Sequence, residues 1–220
     1  MVASGVAMHS LDERLLILYK EKKKEIEERL IEFLSLKREA DDKRLFEELA
    51  FCTLTPQAKP IEAQKTLDHL MHLGLLWKGS AETISPHLHR VRFRHTKAFS
   101  LVYNRNQCFS AGWSLREKLE SLKDAFAMRR WLVETMRGIG WKEASHFLRN
   151  TGFGLELAIL DRHVLRMLAE RFGIVIPSSL SGKRYEEYER LLGRWADSLS
   201  LSMAVMDFLI FYEKTGVIFK

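Results

Sequence analysis

The sequence is poor in cysteine and proline and lacks long apolar runs. These shortages exclude some kinds of cross-link, metal site and membrane segment. Its two cysteines, Cys52 and Cys108, are too few for a disulfide framework or a four-cysteine metal site. No run of about 18 uncharged apolar residues occurs, which excludes a membrane-spanning helix. The first residues lack a basic leader followed by a long apolar stretch, so no secretory signal is expected. We therefore expect a cytoplasmic protein without a membrane segment or a bound metal.

The chain is rich in apolar residues at helical spacing and has an excess of basic residues. The net charge of +6 is compatible with a polyanionic partner. No segment alternates as a strand should, and the apolar spacing predicts helices throughout. The predicted ranges are 11–36 (with one break allowed), 44–54, 61–76, 83–89, 96–109, 115–122, 125–136, 142–149, 162–172, 185–198 and 203–215. The prediction is an all-α, two-lobed helical bundle, a single unit of residues 1–220 with a ligand groove between the lobes.

Two glycines flank one apolar residue at Gly138-Ile139-Gly140, between two predicted helices. Glycine permits a tight turn with positive φ, and Ile139 can pack into the core beneath the turn. The backbone amides of the turn and of the next helix would then point outward, which suits a phosphate. The pattern predicts a helix-hairpin-helix motif at about residues 125–150, in which Gly138 and Gly140 bind DNA. An ordinary helical hairpin is the alternative.

Three polar residues after the glycine turn are candidates for chemistry. Lys142 lies in the first helical turn, where the helix dipole disfavours a positive charge and thus favours the neutral, nucleophilic amine. Asp161 precedes another helix, so we expect it to be an N-cap, and a rigidly held capping carboxylate can still act on a substrate. His163 follows as a phosphate contact or a plain surface residue. For Lys142 the alternative is a solvated surface lysine.

These features resemble the helix-hairpin-helix DNA glycosylases of the endonuclease III superfamily. That family has glycines around an apolar residue, a catalytic lysine two residues later, and a catalytic aspartate with a histidine two residues after it. Here Asp161 follows Lys142 by 19 residues, the spacing of the lysine-bearing, bifunctional members. The segment Leu54-Thr55-Pro56-Gln57 is similar to the superfamily's Leu-Ser-x-Gln segment. The resemblance implies that Gln57 lies at the DNA lesion; a loop amide is the alternative.

The C-terminal segment resembles the 8-oxoguanine DNA glycosylase/AP lyases of archaea and some thermophilic bacteria. Those proteins are wholly helical and end in a lysine shortly after an aromatic helix; here the lysine is Lys220. The resemblance implies that Lys220, Asp207 and Phe211 recognise the base, although the branch often has tryptophan where this chain has Phe211. No cysteine follows Cys108, which excludes the C-terminal iron–sulfur cluster of endonuclease III itself.

The resemblance implies a bifunctional enzyme that excises 8-oxoguanine from double-stranded DNA and acts as a monomer. Lys142 would form a Schiff base with the sugar, Asp161 would stabilise the developing positive charge, and β-elimination would nick the strand. No metal or organic cofactor is required, and a structural cation held by hairpin carbonyls stays an open alternative. Three other functions also stay open: the same fold acting on oxidised pyrimidines or abasic sites, a non-catalytic DNA-binding module, and a helical protein–protein scaffold.

Overall fold

The computed structural model describes residues 9–110 and 112–220, without the side chain of Ser110. Within these residues the chain forms twelve α-helices and no strand, which confirms the predicted all-α fold. A single turn of 3-10 helix, Ser85–His87, follows the fifth helix. None of the described helices is long and apolar enough to cross a bilayer. The helices are α1 (Ser10–Glu39), α2 (Asp42–Leu54), α3 (Pro60–His72), α4 (Leu75–Lys78), α5 (Ala81–Ile84), α6 (Arg94–Ser110), α7 (Leu115–Glu120), α8 (Ala125–Thr135), α9 (Trp141–Asn150), α10 (Arg162–Phe172), α11 (Gly182–Ser198) and α12 (Met203–Thr215).

Two predicted helices are wrong in their bounds, and the chain shows why. The range 61–76 is two helices, α3 and α4, because Gly74 lies between them with a φ of 69°. That left-handed conformation is easy for glycine and interrupts a right-handed helix. The range 83–89 begins too late and is not one α-helix: α5 ends at Ile84, and the 3-10 turn that follows contains Pro86, which has no backbone N–H to donate.

Packing divides the chain into two compact units. Of the described residues, the first unit contains 9–30 and Ala158–Phe219, and the second contains 31–110, 112–157 and Lys220. Helix α1 therefore contributes its first residues to one unit and its last residues to the other. The single-domain assignment of residues 1–220 and the groove between lobes stay predictions.

Helix α2 is the central helix of the second unit. It packs against α3, α6, α7 and α9, and its buried residues run from Leu45 to Leu54 with few gaps. A helix with neighbours on most sides is expected to be apolar almost all round. Glu48 and Thr53 are the buried polar residues of α2, and Glu48 is a carboxylate that is only 1% exposed. A buried charge needs partners, so Glu48 points to a polar network inside this unit.

The first unit is built around α12, which packs against α10 and α11. Most of α12 from Ala204 to Ile210 is buried. Asp12, near the start of α1, is buried too and accepts hydrogen bonds from Trp195 Nε1 (2.7 Å) and Arg171 Nε (3.0 Å). The carboxylate joins α1, α10 and α11, which is a structural role.

Candidate active site

The turn between α8 and α9 forms the predicted hairpin and is fixed by α6. Gly138 has a φ of 73°, and a Cβ atom there would lie 3.0 Å from the Ser100 hydroxyl oxygen. Ile139 is buried beneath the turn, as predicted. The Asn104 side chain accepts a hydrogen bond from the Arg137 N–H (2.8 Å) and donates one to the Arg137 carbonyl (3.0 Å). Glycine at position 138 therefore suits both the left-handed conformation and the short distance to Ser100.

Glu143 occupies the start of α9. Because position 140 is glycine, α9 has no side-chain N-cap, and the Gly140 N–H donates instead to Glu143 Oε2 at 3.3 Å. The other carboxylate oxygen, Oε1, lies 2.9 Å from Lys142 Nζ. The amide predicted to bind phosphate is thus bound by a carboxylate in this structure. Lys142 is ion-paired, so that pair must open before the amine can attack a substrate.

Lys97 on α6 is a buried cation near the candidate site and was not predicted from the sequence. It is 5% exposed, and its Nζ donates to the carbonyls of Leu54 (2.7 Å) and Pro56 (2.8 Å). Burial and then the positive charge of Lys142 together lower its pKa to about 8, while Glu143 acts in the opposite direction. Lys97 and Lys142 therefore lie within reach of each other's charge.

A signal for Lys97 was present in the sequence. The residues four, seven and eleven positions further along α6 lie on the same helical face. All are buried: Leu101, Asn104 and Cys108. A lysine on such a stripe is a candidate for a buried cation.

Gln57 follows directly after the carbonyls that Lys97 holds. It is exposed, and its φ of 53° puts it in the left-handed region that residues other than glycine seldom adopt. The surrounding chain must hold this conformation in place, and Lys97 supplies part of that restraint. The role of Gln57 at a lesion stays a prediction.

Lys220 is anchored to the buried carboxylate of α2. Its Nζ lies 2.7 Å from Glu48 Oε1 and 4.4 Å from the centre of the Phe51 ring. Glu48 also accepts hydrogen bonds from Arg44 (2.9 Å) and Asn150 (3.2 Å). The network satisfies the charge of Glu48 and fixes the position of Lys220 in the second unit.

Two buried groups, His146 and Cys52, lie within reach of the charges of both Lys142 and Lys220. Burial lowers the pKa of His146 well below its usual value, and the charges of both lysines act in the same direction. Burial raises the pKa of the Cys52 thiol well above its usual value, and both lysines oppose that rise. The structure thus places the predicted nucleophile and the predicted base-recognition lysine, both half-buried, around the same two buried groups.

The first unit holds the other predicted residues. Asp161 is the N-cap of α10, as predicted: its Oδ1 accepts from the backbone N–H of His163 (2.7 Å) and Val164 (2.9 Å). The His163 ring meets the Phe211 ring edge-on, with centres 6.2 Å apart. Asp207 is buried on α12, one helical turn before Phe211. The roles of these four residues in catalysis, DNA binding or base recognition stay predictions.

The chain is similar to known 8-oxoguanine DNA glycosylases in both sequence and structure. The model of the Ogg-HhH family, 8-oxoguanine DNA glycosylase, matches residues 26–201. An 8-oxoguanine DNA glycosylase/AP lyase of Fusobacterium nucleatum is 37% identical over 205 residues, 92% of this chain and 94% of that one. The solved structure of the Methanocaldococcus jannaschii 8-oxoguanine glycosylase/lyase, in complex with a 15mer DNA containing 8-oxoguanine, is similar with a TM-score of 0.86 and 31% identity, over 96% of this chain and 100% of that one. The 8-oxoguanine DNA glycosylase of Thermotoga maritima gives a TM-score of 0.84 and 33% identity, over 96% and 98% of the two chains.

Proposed function

Since this chain belongs to the Ogg-HhH family and is an 8-oxoguanine DNA glycosylase/AP lyase, we propose that Lys142 is the nucleophile that removes the base. The observation that carries the proposal is the shared cluster in the second unit. Lys142 lies in the first turn of α9, one helical turn before His146, whose ring meets the Phe51 ring edge-on with centres 5.7 Å apart. Lys220 Nζ lies 4.4 Å from the centre of the same Phe51 ring. A nucleophile and a base-recognition group have to act on the same nucleotide, so they are expected to lie near one another.

Attack by an amine at position 142 accounts for both base removal and strand cleavage. The neutral Lys142 amine forms a bond to the sugar C1′ while the bond from C1′ to the base nitrogen breaks, and the base leaves with a proton. The C1′–O4′ bond of the sugar ring then breaks, and the remaining amine proton passes to O4′ while nitrogen forms a double bond to C1′, which gives an imine, the Schiff base. The imine acidifies the C2′ protons, so loss of one of them breaks the C3′–O bond and nicks the strand. We assign Asp161 to stabilising the positive charge on the sugar and to proton transfer, on the basis of its rigid capping position and its 19-residue spacing from Lys142.

The proposed partner is double-stranded DNA that contains 8-oxoguanine. The relative from M. jannaschii was crystallised with DNA containing this base, and the net charge of +6 suits a polyanion. Reaching the base requires it to leave the stack, which costs a few kcal/mol. Gly138, Gly140, His163 and Gln57 are the proposed DNA contacts. The monomeric state and the cytoplasmic location stay predictions, and binding to DNA would place the protein at the nucleoid.

Borohydride trapping tests the nucleophile. Borohydride added during the reaction on 8-oxoguanine duplex reduces the imine, so the wild-type chain is expected to give a covalent protein–DNA adduct attached at Lys142. Lys142→Gln should give no adduct and no nick. Lys65→Gln, a matched change on the exposed face of α3, should trap like the wild type. An adduct of normal yield with Lys142→Gln would show that another amine attacks the sugar.

A second experiment tests base recognition by Lys220. We propose that this residue reads the base together with Asp207 and Phe211, since Glu48 and Phe51 hold it in place. Deleting Lys220 should slow excision of 8-oxoguanine by about tenfold or more, the cost of one lost charge-assisted hydrogen bond. Nicking of a preformed abasic site, which needs no base recognition, should change little. Equal loss on both substrates would contradict a recognition role.

A further inference from the structure

We propose that Arg137 binds a DNA phosphate beside the hairpin turn and that the exposed ring of Phe99 holds its guanidinium in place for this contact. The inference rests on the proposed binding of DNA at Gly138 and Gly140. Neither Arg137 nor Phe99 is among the residues that the family resemblance implied, and the assignment comes from the structure. The backbone, the side chain and the charge of Arg137 each support the contact.

The backbone of Arg137 is fixed at the edge of the hairpin turn. Arg137 directly precedes Gly138, and the Asn104 side chain accepts a hydrogen bond from its N–H (2.8 Å) and donates one to its carbonyl (3.0 Å). Asn104 is itself buried on α6 and also donates to Thr53 Oγ1 at 3.4 Å. Arg137 is therefore held beside the amides that are proposed to bind phosphate.

The side chain of Arg137 lies against the ring of Phe99 on α6. Its Cζ atom is 4.6 Å from the centre of the ring, within the range of a cation–π contact. A guanidinium that stacks on an aromatic ring uses its face, and the N–H groups along its edge can still donate to a second partner. Phe99 is 48% exposed, although phenylalanine is usually buried. A surface ring beside an arginine restricts that arginine without neutralising it.

The charge of Arg137 is exposed and has no carboxylate partner in the part of the chain that the structure describes. No carboxylate of residues 9–110 and 112–220 forms an ion pair with it, whereas the exposed Arg90 pairs with Glu62 at 3.1 Å. A fixed and unpaired guanidinium suits an external anion, and a phosphate can accept two of its N–H groups at once. The DNA proposed to bind at the adjacent turn supplies such phosphates.

Equilibrium binding to DNA at several salt concentrations tests the contact. The ligand is a duplex with a tetrahydrofuran residue, an abasic-site analogue that has no leaving group at C1′ and is therefore not cut. Arg137→Gln should bind about tenfold more weakly at low salt, the effect of one lost charge-assisted hydrogen bond. The slope of log K against log salt should become shallower by about one, as expected for one lost phosphate contact. A wild-type slope in Arg137→Gln overturns the phosphate contact. Arg90→Gln is the matched control and should keep the wild-type slope, because Glu62 already neutralises this arginine.

A substitution at Phe99 tests whether the ring positions the arginine. Phe99→Leu keeps an apolar side chain but removes the aromatic face, so binding should weaken by about two- to fivefold. The salt slope should stay unchanged because the charge remains. In the Arg137→Gln background the same substitution should have no further effect. Phe126→Leu is the matched control and should bind like the wild type, since the ring of Phe126 lies 5.4 Å from Cζ of the buried Arg129. Equal effects of Phe99→Leu in both backgrounds overturn the positioning role.

Two further variants separate this inference from the proposed function, with thermal unfolding as the folding check for each. Arg137→Lys keeps the charge but not the planar pair of donors, so it should keep the salt slope and bind a few-fold more weakly. Wild-type affinity in Arg137→Lys would contradict a stacked contact that uses two donors. Gly138→Ala that binds the duplex like the wild type would contradict DNA binding at the hairpin itself. Weak binding by Gly138→Ala together with wild-type binding by Arg137→Gln would contradict only the contact proposed for Arg137.

Discussion

The two residues predicted to carry the chemistry stand at the starts of two helices that are built in opposite ways. Helix α10 starts with Asp161, whose carboxylate accepts two backbone N–H groups and suits the helix dipole. Helix α9 starts at a glycine with no side-chain cap and has a lysine in its first turn, against the dipole. Folding alone would favour Asp161 but not Lys142. A residue that the fold does not need is the stronger indication of chemistry.

The largest expected effect is the loss of activity in Asp161→Asn, which separates the helix-capping role of Asp161 from its proposed catalytic role. Asparagine caps a helix about as well as aspartate, so Asp161→Asn should leave thermal stability almost unchanged. It removes the negative charge, and single-turnover excision of 8-oxoguanine should fall by about 10²–10⁴-fold if the carboxylate acts in proton transfer. Asp161→Ala should lose the same activity and also about 0.5–2 kcal/mol of stability, as measured by denaturant unfolding. Full activity in Asp161→Asn would show that Asp161 only caps helix α10 and does not act in the reaction.

A second substitution affects only the start of α9. Gly138→Ala places a side chain at a φ of 73° and within 3.0 Å of the Ser100 hydroxyl. The left-handed conformation alone costs about 1–2 kcal/mol. Gly173→Ala is the matched control, with a φ of 67° and open space around its Cβ position. Denaturant unfolding should show a larger loss for Gly138→Ala, and affinity for lesion DNA should fall in this variant alone. Equal losses in both would show that the Ser100 contact relaxes freely.

The smallest expected effect concerns the carboxylate that α9 uses in place of a cap. Glu143→Gln keeps an acceptor for the Gly140 N–H but removes the charge that pairs with Lys142. Stability should fall by about 0.3–1 kcal/mol, because an acid in the first turn suits the dipole. The single-turnover nicking rate on a preformed abasic site should rise, because the ion pair with Lys142 no longer has to open before the amine attacks. The exposed Glu156→Gln is the control, and an unchanged rate for Glu143→Gln would mean that the ion pair does not limit the reaction.

Local patterns in the sequence predicted most of the fold and those features of the candidate site that lie within a few residues of one another in the chain. The spacing gave the bounds of α10 correctly, and the glycine turn and the Asp161 cap were read from a few adjacent residues. The buried network was beyond such patterns because its members are far apart in the chain: Lys220 and Glu48 are separated by 172 residues. The same holds for Lys97, which meets Leu54 across 43 residues. Glu143 was missed for another reason, since an acid in a first helical turn has an ordinary use there.

The burial of α2 has a consequence for how the molecule fluctuates. Amide hydrogens exchange with solvent through local openings, and the amides in the best-packed helices exchange last. Helix α2 is buried along most of its length and contacts four other helices of its unit, so its amides from Leu49 to Thr53 should be among the slowest there to take up deuterium. Lys220 is held by Glu48 on this helix. The group proposed to distinguish the damaged base is thus attached to the part of the second unit that opens least, and it keeps its place while the surface turns fluctuate.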